Sequence, residues 1–260
     1  MTILYLFKSA LKDVTRPGRA LVAILLALAP AAIALAWRLS AGPTKFPRDL
    51  AYNSLESGFV FSFTLVILSV MLATGVVSQE LEQKTIVYLL TRPVRRVSIL
   101  LARFAAALTM VVATSWVSTL ALALTAYGPS HLHGSAVVRD MLILPVGALA
   151  YGAVFLFVAT FIARPLLWGL LFAFGWEWWV PSLPGNFKMA SLMAYLRVLA
   201  PHASPEGETV DLFTVLSGLA PTKITSTLSW EVLLAVIIIA LAGAMVVFSQ
   251  REYVPRDDAI

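Results

Sequence analysis

The sequence predicts an all-α integral membrane protein, and three observations support this prediction. Of the 260 residues, 60% are hydrophobic and 13% are charged, and the mean hydropathy is +0.87. A soluble domain is nearer half apolar and a quarter charged. Long apolar runs recur along the chain, and Lys and Arg residues flank these runs instead of forming a separate basic tail. This placement favours membrane topology over nucleic-acid binding, despite the net charge of +5.

Six stretches are predicted to cross the membrane within a single transmembrane domain, residues 1–260. A helix rises about 1.5 Å per residue, so about 20 apolar residues cross the hydrocarbon. The first stretch is interpreted as a retained anchor and not as a signal peptide, because its apolar run is longer than a usual signal core. The predicted spans are approximately residues 20–37, 58–77, 98–127, 141–163, 165–182 and 232–249.

The positions of the basic residues predict the orientation. If the N-terminus is cytoplasmic, 12 of the 19 Lys and Arg residues fall on the cytoplasmic side and 7 fall outside. Cytoplasmic loops of membrane proteins carry an excess of Lys and Arg. We therefore expect both termini in the cytoplasm.

Two amphipathic regions lie outside the predicted spans. In residues 1–18, apolar side chains at helical spacing precede Pro17, which predicts a short helix in the inner membrane interface. The outer segment 183–230 contains a second apolar stripe between residues 186 and 200, which predicts outward-facing helices. The first stripe consists of Ile3, Phe7, Ala10, Leu11 and Val14, and the second of Phe187, Met189, Leu192, Met193, Leu196 and Leu199.

Signatures of catalysis and of cofactor binding are absent from the sequence. It has no phosphate-binding loop, no H-E-x-x-H metal pair, no G-x-S-x-G elbow and no cysteine. His131 and His133 are interpreted as part of a solvated turn, and Met189 and Met193 as packing residues. We therefore expect a chain that is not an enzyme and that holds no metal and no cofactor.

Glu177 is the one acidic residue inside a predicted span, within the stretch FGWEWWVP. Acids within the bilayer are costly, which makes them candidates for function. Glu177 lies about 18 Å along a helix from Pro165, and Trp176, Trp178 and Trp179 resemble an aromatic belt at the outer interface. Two interpretations remain open: an interfacial or structural pairing, and a role in a substrate path or gate.

The densest group of charges occurs between the second and third predicted spans, in residues 78–97. Glu80 and Lys84 have the i, i+4 spacing of a helical ion pair, and Pro93 predicts a turn. Ile86, Leu89 and Leu90 form an apolar edge that a plain solvated loop does not require. We interpret the segment as a hairpin of helices that protrudes into the cytoplasm and docks a partner, with Arg95 and Arg96 at the headgroups.

This segment resembles the permease subunits of type-2 ABC transporters, which are mostly bacterial exporters. In that family the pattern is approximately an acid, two residues and Gly-Thr, followed by Leu-Leu, a small residue, Pro and a basic residue, with a Lys early in the next helix. The chain departs from the pattern at Lys84, which replaces the usual glycine, and at Arg103, which stands where the lysine would fall. The matching residues are Glu82, Thr85, Leu89, Leu90, Pro93, Arg95 and Arg96.

The resemblance implies a dimer of permeases, homomeric or heteromeric, in the bacterial inner membrane that exports a substrate. A separate cytoplasmic ABC ATPase, with its own ATP and Mg²⁺, would drive it. ATPase coupling is expected at Glu80, Glu82, Lys84, Thr85, Ile86, Leu89, Leu90 and Pro93, and membrane anchoring at Arg95, Arg96 and Arg103.

Two alternatives stay open on the sequence. An ATPase-driven transducer would act on an extracytoplasmic partner protein, and the helical outer segment 183–230 is its motivation. An ion-coupled secondary transporter would need several acids within the membrane, whereas only Glu177 is visible in the predicted spans.

Overall fold

The computed structural model describes residues 2–42, 45–82, 96–129, 134–180, 185–202 and 224–250, and every regular element among them is helical. Two π-helical segments, Glu56–Leu65 and Phe172–Glu177, and one 3-10 helix, Gly185–Ala190, accompany nine α-helices within these described ranges. The α-helices are α1 (Thr2–Val14), α2 (Pro17–Ala41), α3 (Arg48–Leu55), α4 (Val66–Glu82), α5 (Arg96–Ala126), α6 (Ser135–Phe161), α7 (Pro165–Leu171), α8 (Leu192–Leu199) and α9 (Ser226–Gln250).

Five helices of the described chain are long and apolar enough to cross a membrane, and they correspond to five of the six predicted spans. The chain is therefore a multi-pass membrane protein. The helix Arg48–Val77, the second of the five, joins α3, the first π-helical segment and the start of α4 without a break. Of its most apolar part, 72% is buried, against 28% for α2 and for α9. The bundle thus has this helix at its centre and α2 and α9 at its periphery. The five ranges are Pro17–Ala41, Arg48–Val77, Val97–Ala126, Ser135–Phe161 and Ser226–Gln250.

The remaining predicted span, residues 165–182, is not confirmed as a membrane-crossing helix. Pro165 begins α7, as a proline at the first helical position favours, but α7 and its π-helical continuation end at Glu177. This helix has 13 residues, which gives a length of about 20 Å and leaves it short of the roughly 30 Å hydrocarbon thickness. Hydropathy overestimated its length because the tryptophans beyond Glu177 are apolar but no longer helical.

The N-terminal helix is confirmed, and Pro17 separates α1 from α2 as predicted. Ala10 and Val14 are buried, and α1 packs against α5. Tyr5, which lies outside the predicted stripe, is exposed. The apolar stripe is therefore partly used for packing within the chain, and the interfacial position of α1 stays a prediction.

Both π-helical segments contain a buried acid. Glu56 is the first residue of one segment and Glu177 is the last residue of the other. The hydroxyl of Ser62 donates to the carbonyl of Ser57, five residues earlier, at 2.7 Å. A π-helix widens the helical turn and is found frequently at functional sites. These two segments therefore direct attention to the acids within them.

The close packing of α6 at Gly147 leads to a stability prediction. A Cβ added at Gly147 would lie 2.8 Å from Leu65 Cδ2 and 3.0 Å from Leu196 Cδ1, whereas one added at Gly58 meets nothing within 4 Å. We expect Gly147→Val to lower stability by about 1–3 kcal/mol through overpacking. Thermal unfolding of the purified protein measures this, with Gly58→Val as the matched control. Equal unfolding midpoints for the two variants would contradict the prediction.

Candidate functional site: buried acids within the bundle

Asp140 is an acid of α6 that the fold surrounds with hydrogen-bond donors. Its carboxylate is completely buried. The hydroxyl of Tyr52 donates to Asp140 Oδ2 at 2.8 Å, and His202 Nε2 lies 3.1 Å from the same oxygen. Arg139 Nε is 3.6 Å from Oδ1, and Arg139 Nη2 donates to the carbonyl of Pro201 at 2.9 Å. Asp140 thus connects α3, α6 and the chain that follows α8.

Glu56 is also completely buried, but it has fewer partners than Asp140. The hydroxyl of Thr119 on α5 donates to Glu56 Oε1 at 2.6 Å. Glu56 Oε2 has no hydrogen-bond partner, and no ion pair joins Glu56 to a basic residue of the described chain. A buried carboxyl group with one hydrogen bond is poorly solvated as an anion.

The two acids belong to one polar cluster. Tyr52, which binds Asp140, precedes Glu56 by four residues, so that the two side chains lie on the same side of a continuous helix. The hydrogen bond from Tyr52 thus brings the Asp140 carboxylate to the helix face that carries Glu56. We call Tyr52, Glu56, Thr119, Asp140 and His202 the acidic cluster.

Glu177 lies in a separate site, where it holds the start of α8. Three groups donate to Glu177 Oε1: the hydroxyl of Tyr151, the hydroxyl of Ser191 at 2.9 Å, and the backbone N–H of Met193. Ser191 is the N-cap of α8 and accepts in turn from the N–H of Ala194. A negative charge at the N-terminus of a helix is favourable, because the first N–H groups there lack helical partners.

The partners of Glu177 show how deep it lies in the bundle. Tyr151 is about 15 Å from the end of α6 and about 24 Å from its beginning. Glu177 is 5% exposed, whereas Trp176, Trp178 and Trp179 around it are exposed. The structural pairing that the sequence allowed is therefore present, at mid-length of α6 and not at its end. A role of Glu177 in a substrate path or gate stays a prediction.

The predicted coupling residues fall almost entirely outside the described chain. The backbone of Glu80 and of Glu82 belongs to the last turn of α4, and Arg96 begins α5. Arg103 lies in α5 and lines a small cavity with Asp13 and Arg19. The residues outside the described chain are Lys84, Thr85, Ile86, Leu89, Leu90, Pro93 and Arg95.

The sequence interpretation missed Glu56 and Asp140 as acids within spans. The predicted spans began at residues 58 and 141, just beyond them, whereas the helices begin at Arg48 and Ser135. The available signal was helical continuity, because no proline separates either acid from the apolar run that closely follows it. The statement that Glu177 is the one acid within the spans was therefore wrong.

The histidines do not form a metal site in the part of the chain that the structure describes. No group of three or more His, Cys, Asp or Glu residues that could hold a metal ion occurs there. His202 belongs to the acidic cluster, and His131 and His133 lie outside the described residues. Met193 is buried in the core, as the packing interpretation predicted, while Met189 is partly exposed.

Comparison with known proteins identifies a family. The sequence pattern of the family described as "ABC-2 family transporter protein" matches residues 16–175. The match covers more than half of the 260 residues and includes Glu56 and Asp140, together with α2 to α7. No curated protein matches the chain.

Proposed function

Because the chain belongs to the ABC-2 family of transporter proteins, we propose that this permease is the membrane subunit of an ATP-binding-cassette exporter. Two copies, or one copy and a related chain, form the transport unit, and a separate ATPase supplies the energy. The single observation that carries the proposal is the family match over residues 16–175, which includes the segment that resembles the coupling hairpin.

The helices on either side support a docking role for residues 78–97. The backbone of Glu80 and of Glu82 lies in the last turn of α4, and Arg96 begins α5. In the predicted topology the segment between these two helices is on the cytoplasmic side, where the proposed ATPase meets it.

Dimerisation is supported by the peripheral helices. Leu21, Leu25, Ile238 and Ile239 are each at least 60% exposed, and they lie on α2 and α9. Exposed side chains of this kind are in contact with lipid or with a second permease. In the proposed exporter, a substrate moves outward between the two permeases when the ATPase closes.

A charge reversal tests the coupling. We expect Glu82→Arg to abolish co-purification of the permease with the ABC ATPase that is co-expressed with it. In the proposal the acid enters a basic groove of the ATPase, and the substitution places a like charge there. Membrane insertion should not change. The measurement is the amount of ATPase retained on a tagged permease, with each ABC ATPase of the source genome expressed in turn.

The matched control is Glu231→Arg, the same reversal at an exposed residue near the start of α9. In the predicted topology this residue lies on the opposite side of the membrane. Unchanged ATPase retention by the Glu231 variant, together with loss in the Glu82 variant, supports the proposal. Equal retention by both variants would count against a coupling role for residue 82.

A further inference from the structure

The acidic cluster contains two neighbouring carboxyl groups with unequal environments. Asp140 receives the Tyr52 hydroxyl and has His202 and Arg139 close to its two oxygens. Glu56 receives only the Thr119 hydroxyl. Hydrogen-bond donors and a neighbouring cation generally favour the charged form of a carboxyl group. Nothing comparable favours a charge on Glu56.

Burial makes the difference between the two acids larger. Both carboxyl groups are completely buried, and an ionised carboxylate without a cation or several hydrogen bonds is expensive in such surroundings. Two close carboxyl groups also repel one another when both are ionised, and such a pair generally retains one proton. The neutral acid is therefore the favourable state of Glu56.

The other charged groups near this helix have partners elsewhere. Arg38 of α2 donates to the carbonyl of Thr125 at 3.0 Å. Tyr127, which follows α5, is hydrogen-bonded to Asp49 of α3. Arg197 of α8 is 3.5 Å from the hydroxyl of Ser62. None of these described groups provides Glu56 with a counter-ion.

Tyr151 and Tyr195, the remaining titratable groups on α6 and α8, also have other partners. The hydroxyl of Tyr151 donates to Glu177, and the hydroxyl of Tyr195 donates to the carbonyl of Met189 at 2.8 Å. Both bonds belong to the region around Glu177. The proton balance of Glu56 is thus set within the acidic cluster.

Unpartnered polar side chains on α5, the helix that carries Thr119, provide an independent observation. Ser115 and Ser118 are completely buried, and neither hydroxyl has a hydrogen-bond partner. Ser115 precedes Thr119 by four residues, so that it lies on the face of α5 that carries the hydroxyl bound to Glu56. Glu56 Oε2 is itself unpartnered. Buried groups that lack partners require an explanation, and a polar site for a transported or exchanged species is one.

We propose that the acidic cluster is a proton-binding site of the permease, in which Glu56 holds the proton. The Glu56 carboxylate takes up one proton from water and becomes the neutral acid. The acid later releases that proton to water, and neither step changes an oxidation state. The site makes the permease sensitive to protons, a property separate from its coupling to an ATPase.

Infrared spectroscopy of the permease alone, purified in lipid nanodiscs with ¹³C-labelled glutamate, tests this inference. We expect the wild type to show, at neutral pH, a carbonyl absorption of a protonated glutamic acid that is lost in Glu56→Gln. Glu231→Gln, which changes an exposed glutamate, should leave that absorption unchanged. An identical carboxylic-acid absorption in the wild type and in Glu56→Gln would overturn the proposal.

A second variant keeps the test decisive if Glu56→Gln does not fold. Thr119→Val removes the hydroxyl that donates to Glu56 Oε1 and nearly preserves the volume of the side chain. In this variant the carbonyl absorption of the protonated acid should shift in frequency, and an unshifted absorption would overturn the assignment to Glu56. No ATPase is present in these experiments, so their outcome is independent of whether the coupling proposal holds.

Discussion

Glu177→Ala is expected to lower the stability of the protein by about 3–5 kcal/mol. The substitution leaves the hydroxyls of Tyr151 and Ser191 and the N–H of Met193 without their common acceptor. A hydrogen bond to a charged group contributes about 1.5–3 kcal/mol, and a buried donor that loses its partner also loses its solvation. We therefore expect α8 to detach from α6 before the rest of the bundle unfolds.

Hydrogen exchange and thermal unfolding can separate the local effect from the global one. Amide exchange of residues 192–199 should accelerate more than that of residues 148–158 in α6, because Glu177 stabilises the start of α8. Glu177→Gln is the matched control, since one amide oxygen still accepts a hydrogen bond while the charge is removed. Exchange in α8 that is the same in the Ala variant and in the wild type would contradict the role of Glu177 in holding this helix.

The same pair of variants tests the predicted role of Glu177 in a substrate path or gate. If Glu177→Gln keeps the unfolding midpoint of the wild type but loses transport, the carboxylate acts in the transport step. If both properties are retained, the carboxylate serves only the packing of α8. The structural contacts explain the burial of Glu177. Transport measurements on the two variants decide whether its carboxylate also acts in a substrate path or gate.

The spans were predictable because hydrophobicity over about 20 residues is a strong signal that does not depend on which other helices pack against the segment. Five of the predicted spans match helices of the structure. The break at Pro17 and the beginning of α7 at Pro165 were also predictable, because proline restricts the local backbone directly. The end of this helix at Glu177, where the π-helical continuation of α7 stops, was not predictable, since the sequence that follows is rich in tryptophan and gives no stop signal before Pro181.

The acidic cluster could not be predicted from the sequence, because its members are distant in the chain. Tyr52 and Asp140, which form a hydrogen bond, are 88 residues apart. Their contact depends on how α3 and α6 pack, which local patterns do not determine. Asp140 also follows Arg139 directly, and the pair resembles ordinary charges at the end of a span. Local patterns predicted the helices, and tertiary packing brought their acids together.

Asp140→Ala is the second substitution for which we expect a large effect, a loss of about 3–5 kcal/mol. Removal of one partner from a buried polar contact leaves the other partner without its hydrogen bond and without solvation. The variant leaves the Tyr52 hydroxyl without its acceptor and His202 without the carboxylate 3.1 Å away. The control is Asp13→Ala, which breaks the exposed ion pair with Arg16 and should cost about 1 kcal/mol or less.

A double-mutant cycle with His202→Ala shows whether the two side chains act as a pair. If they do, the effect of Asp140→Ala should be smaller by about 0.5–3 kcal/mol when His202 is already absent. The thermal unfolding of the four proteins, followed by tryptophan fluorescence, supplies the free energies. Strict additivity would mean that Asp140 acts through Tyr52 and not through His202. His202 would then be dispensable for holding the chain after α8, and the hydrogen bond from the Arg139 guanidinium to the carbonyl of Pro201 would be the contact that fastens it to α6.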